Sequence, residues 1–108
     1  MQGTLAELDR KPLYSTLAGD PDLDEIVTLF VEEMPARVEG ILQNLDRRNW
    51  EMLRRLAHQL KGSAGGYGFE SISKVAARVE TAVYQSLPEE VIQNTVEELV
   101  ELCGRATV

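Results

Sequence analysis

The chain holds a single histidine, His58, and a single cysteine, Cys103, among 108 residues. Arg54 and Arg55 stand about one helical turn before His58, Lys61 and Gly62 about one turn after it, and Gly65 about two turns after. An uncharged imidazole nitrogen is a nucleophile, and cations nearby disfavour a further positive charge on the ring. Lys61 is placed to meet an anion attached to or approaching His58. Gly62 is the odd member, because a glycine inside a helix costs roughly 1 kcal/mol relative to alanine. At this spacing it removes the side chain that would crowd the imidazole. The combination suits close approach by another macromolecule that delivers a small anion, for which a phosphoryl group is the best fit. The competing reading is an inert surface histidine among ordinary solvated charges.

Other chemistries find little support. One histidine and one cysteine cannot build a protein-only zinc site, and a lone cysteine gives no internal disulfide. The run from Gly62 to Gly68 is glycine-rich, but it lacks phosphate-loop spacing and follows a helical pattern rather than a strand. Ser63 lies on a different helical face from His58, which argues against a hydrolytic Ser–His pair. No nucleotide, metal or other cofactor is expected on this chain, so the phosphoryl donor must be another protein or domain.

The residues that position His58 follow from periodicity. Leu23, Ile26, Val27, Phe30, Met34, Val38, Ile41, Leu42 and Leu45 recur at steps of three and four, the stripe of a long amphipathic helix. Asp20, Asp22, Asp24 and Glu25 suit the positive end of its dipole. Pro35 falls inside the stripe and predicts a kink or break near Val31 to Pro35. Asn49 caps a second helix with Trp50, Leu53, Leu56, Ala57, Leu60 and Ala64, ended by Gly65, Gly66 and Gly68. His58 sits about 140° from the centre of that stripe, facing away from the core. A third stripe comprises Phe69, Ile72, Val75, Ala76, Val79 and Val83. Pro88, Glu89 and Glu90 open a fourth helix, with Pro88 in its first turn and Ile92, Val96, Leu99 and Cys103 as its seam. Glu80 lies about 80° from the centre of the third stripe, where a side chain reaches a neighbouring helix. There a carboxylate accepting Nδ1–H of His58 would leave Nε2 free to attack. A boundary glutamate facing water is the alternative.

Short links between amphipathic helices predict an all-α, antiparallel four-helix bundle. Leu13 to Ala18 reads as a short extra N-terminal helix, and no stretch alternates long enough to suggest a strand. A single domain is expected, residues 1–21 forming an N-terminal segment that frays at its start and residues 22–108 the bundle. Composition agrees: 44% hydrophobic and 27% charged residues describe a folded globular chain. The net charge of −7 argues against nucleic acid as a partner. No apolar run approaches the ~20 residues of a membrane span, and the N-terminus lacks the order of a signal peptide. A cytoplasmic monomer is the expectation.

The run His58-Gln59-Leu60-Lys61-Gly62-Ser63-Ala64-Gly65-Gly66-Tyr67-Gly68-Phe69 strongly resembles the signature of histidine-containing phosphotransfer (HPt) domains. The likeness extends over roughly Asp22 to Val100, with Phe30, Glu33, Met34 and Pro35 on the long helix and Ala76 to Glu80 on the third. It implies a phosphocarrier, not a kinase, in which His58 relays a phosphoryl group between receiver-domain aspartates in a two-component phosphorelay. By the same resemblance Lys61 steadies phosphoryl charge, and Gly62 clears space for the receiver. The docking face then comprises Arg54, Arg55, Gln59, Ser63 and Gly65, with exposed apolar residues of neighbouring helices. Mg²⁺ is expected on the receiver. The chain is also similar to the phosphotransfer module of chemotaxis kinases, whose following helix carries a glutamate on the other imidazole nitrogen; Glu80 falls at that spacing. Ala77 departs from that pattern, which often has a second histidine there. A freestanding or excised phosphorelay domain, served by receiver domains of response regulators, of a hybrid sensor kinase, or of both, is favoured. A segment of a larger kinase and a plain helical adaptor are the alternatives.

Overall fold

The computed structural model describes residues 11–108. Four helices dominate it: α1 (Pro21–Asp46), α2 (Trp50–Gly66), α3 (Glu70–Tyr84) and α4 (Glu89–Arg105). Two short strands, β1 (Leu13–Tyr14) and β2 (Ala106–Thr107), pair in parallel, with Leu13 opposite Ala106. No described helix is long and apolar enough to cross a membrane.

The helix starts follow capping chemistry. The Asp20 carboxylate accepts from the Asp22 N–H at 3.0 Å, and Pro21 fills the first turn, where a missing N–H costs nothing. Asn49 caps α2 by accepting from the Met52 N–H. Pro88 stands one residue outside α4, as its N-cap, rather than within the first turn. The break expected near Pro35 does not form, and α1 runs unbroken from Pro21 to Asp46. Proline removes one donor from the ladder, while burial of Phe30, Met34 and Ile41 holds the helix against its neighbours.

The core is aliphatic, built from Leu53, Ala57, Leu60 and Ala64 of α2, Ile72, Val75, Ala76 and Val79 of α3, and Ile92, Val96 and Leu99 of α4. Phe30 joins this core to the α2–α3 link, stacking on Tyr67 at 4.9 Å and on Phe69 at 5.7 Å between ring centroids. Two residues assigned to the α1 stripe are exceptions. Ile26 is 43% exposed and Leu42 is 41% exposed. Each lies about 80° from the centre of the stripe set by Val27, Phe30, Met34 and Ile41, while Val27 and Ile41 beside them are buried, so they mark its angular edges. Cys103 is buried in the same core, and burial pushes its thiol pKa up to about 12.

The extra helix expected at Leu13 to Ala18 is absent. The chain instead forms β1 and then a turn strapped across the α2–α3 link. A segment this short closes too few helical hydrogen bonds to repay nucleation. The strap satisfies its polar groups outside a helix: the Ser15 hydroxyl donates to the Tyr67 carbonyl, and the Thr16 N–H donates to the Gly68 carbonyl at 2.9 Å. The fraying expected at the start of the N-terminal segment falls mostly on residues 1–10, outside the described residues.

Gly68 makes this strap possible. Its φ is +85°, and an added Cβ would fall 2.9 Å from the Thr16 backbone nitrogen, inside contact distance. Gly68→Ala should therefore destabilise the fold by about 3 kcal/mol, combining left-handed strain with loss of the strap hydrogen bonds. That corresponds to a melting temperature lower by roughly 10–20 °C in a thermal scan. A shift under about 3 °C would show that the strap contributes little to stability.

Candidate functional site

α2 presents His58 on the face opposite Leu53, Ala57, Leu60 and Ala64, and its side chain is 62% exposed. α3 brings Glu80 to it from the side, only 18% exposed, with one carboxylate oxygen 2.8 Å from His58 Nδ1. The other oxygen lies 2.9 Å from Lys61 Nζ. One carboxylate thus bridges the imidazole and the ammonium, which stand one turn apart on α2.

The electrostatics decide the proton's place. The Lys61 ammonium, hydrogen-bonded to Glu80, holds that carboxyl below its ordinary value; desolvation opposes the effect and His58 reinforces it. Glu80 is therefore ionised near neutrality and can only accept. Nδ1 must then be the donor, and in the uncharged ring Nε2 keeps its lone pair toward solvent. A depressed carboxylate also stabilises the fold above its unfolded pKa, and that contribution is lost as pH falls through the lowered value.

The remaining candidates divide. Gln59 and Gly62 are exposed beside His58, and Ser63 is half-buried. A Cβ on Gly62 would meet nothing within 4 Å, so neither packing nor backbone conformation requires glycine there. Gly65 differs: it is exposed, yet the Cβ it lacks would fall 3.3 Å from the Ser73 hydroxyl oxygen on α3. The Cβ position it leaves bare thus faces α3. The three cations are not free either. Arg54 pairs with Glu51 at 2.8 Å, Arg55 approaches the same carboxylate at 3.6 Å, and Lys61 is on Glu80. The face around His58 is consequently a set of ion pairs rather than a bare basic patch. Glu51 was visible three and four residues before the arginines, the ordinary spacing of helical ion pairs.

Comparison with protein families matches the Hpt domain over residues 25–106. The chain belongs to the Hpt domain family. Neither the curated proteins nor the solved structures returned a match. Hpt membership carries histidine phosphotransfer in a two-component phosphorelay and interaction with receiver domains. The Hpt match takes in α2, α3 and α4 through Arg105 and most of α1. It leaves out the strap, whose Ser15 and Thr16 hold Tyr67 and Gly68 at the end of the helix that carries His58.

Proposed function

We propose that this chain is a phosphocarrier, without a kinase or ATPase site of its own, in which an antiparallel four-helix bundle presents His58 to receiver domains. The observation that supports it best is the hydrogen bond between His58 Nδ1 and the Glu80 carboxylate, which leaves Nε2 as an exposed nucleophile.

In the accepting step the Nε2 lone pair attacks the phosphorus of a receiver's aspartyl phosphate. The P–N bond forms, the P–O bond to aspartate breaks, and the aspartate leaves as carboxylate. The ring gains positive charge, and its Nδ1–H faces the Glu80 carboxylate, which stabilises that charge as it develops. Lys61 has three ammonium donors, one of them on Glu80, leaving two for phosphoryl oxygens. The reverse sequence at a second receiver discharges the carrier. We place the Mg²⁺ on the receiver. Gln59, Gly62, Ser63 and the Glu51-paired Arg54 and Arg55 form the surrounding docking face, and we take the carrier to act as a freestanding monomer in the cytoplasm. Since the chemistry is simple displacement, the domain contributes position and electrostatics.

The test is phosphoryl labelling from aspartyl-phosphorylated receivers of the two-component class. The label should be acid-labile and base-stable, as a phosphoramidate is. No label from any receiver, or a base-labile one, would overturn the reading. Within the site, Glu80→Ala should slow transfer about tenfold, the worth of one charge-assisted hydrogen bond. Far-UV circular dichroism should stay unchanged. A wild-type rate in stopped-flow transfer would reduce Glu80 to a partner for Lys61 alone.

A further inference from the structure

We propose that Ser73 is a positioning residue, acting through Glu80: its hydroxyl, seated against the bare backbone of Gly65, sets the register of α2 on α3. The inference rests on the phosphotransfer reading of His58 and adds a residue to it.

Two contacts define one seam. At the first, the Ser73 hydroxyl donates to the Lys61 carbonyl at 2.8 Å, and Gly65 leaves room for it. At the second, Glu80 meets His58 and Lys61. From Ser73 to Glu80 along α3 is about two helical turns, and from Gly65 back to His58 along α2 is the same distance. Both contacts therefore lie on the same faces of the two helices. Lys61 belongs to both, its carbonyl held by Ser73 and its ammonium by Glu80.

The seam is sensitive to sliding. A slip of one helical turn, the next register at which the same faces meet, displaces one helix along the other by about 5.4 Å. That would carry the 2.8 Å contact between Nδ1 and Glu80 beyond hydrogen-bonding range. The surrounding side chains resist sliding only through non-directional apolar packing: Leu60, Ala64, Ile72, Ala76 and Val79 are buried and carry no polar side-chain atom. The Ser73 hydroxyl is directional, and it grips backbone rather than a mobile side chain. A methyl at Gly65 would press on it at 3.3 Å.

Two measurements test this on the full chain: the ¹⁵N shifts of the His58 ring, and the rate of phosphoryl transfer from a phosphorylated receiver. Ser73→Ala should keep its helical spectrum, slow transfer about fivefold, and move the ring shifts away from a pure Nδ1–H tautomer. Gly65→Ala should shift both readouts in the same direction while Ser73 is still present. In a Glu80→Ala background, Ser73→Ala should add no further slowing, because the group it positions is gone. Equal slowing in both backgrounds, or wild-type ring shifts in Ser73→Ala and Gly65→Ala alike, would overturn the proposal. If the wild-type chain takes up no phosphoryl group, the phosphotransfer reading fails instead, and the ring shifts alone judge Ser73.

Discussion

The His58→Gln variant is expected to keep its fold and to take up no phosphoryl label, at least about a thousandfold below wild type. The fold should survive because the side chain is 62% exposed and its one partner among the described residues is Glu80. Losing that hydrogen bond costs about 1 kcal/mol, a melting shift of only a few degrees. Glutamine still offers an amide to Glu80, but it has no ring nitrogen to attack phosphorus. Autoradiography after incubation with a phosphorylated receiver reads the result directly. Label persisting in the variant would place the acceptor elsewhere and remove the basis of the mechanism.

Gly62→Gln is expected to separate stability from transfer. The position lies inside α2, and a side chain there would enter open space. Glutamine is a better helix former than glycine, so the variant should be equally or more stable, by up to about 1 kcal/mol. Transfer should nevertheless fall about a hundredfold, because a side chain one turn from His58 holds the receiver's aspartyl phosphate away from Nε2. Gly62→Ala should match the gain in stability with a much smaller loss of rate. Thermal scans paired with transfer kinetics check both. An unchanged rate, or a lower melting temperature, would mean that Gly62 does not keep space for a partner.

The four helices were legible because each buries one stripe, and stripes are written at 3.6-residue spacing. Val79 and Leu99 are buried where their period places them, and Asn49 caps where its type predicts. The strap was not legible: six residues from Leu13 give no period, and their structure depends on carbonyls more than fifty residues away. Ile26 and Leu42 show the converse limit, since periodicity identifies a stripe but not how wide a face its neighbours cover. At the site, the approach of Glu80 to His58 followed from helical angles, whereas the pairing of Arg54 and Arg55 with one carboxylate needed Glu51 to be considered with them. Ser73 is of a kind that sequence reading passes over. A serine within a helix carries no chemical signal until the backbone carbonyl it meets is known.

The buried position of Cys103 makes the molecule its own reporter. A thiol with a pKa near 12 has almost no thiolate at neutral pH, and the core shields it from reagents. Alkylation by a maleimide or an iodoacetamide therefore counts only molecules that have opened around the end of α4. Because no other cysteine competes in this chain, the labelling rate follows the opening equilibrium without any engineered probe. The same thiol lets the stability of each variant be followed in the buffer where its transfer is measured.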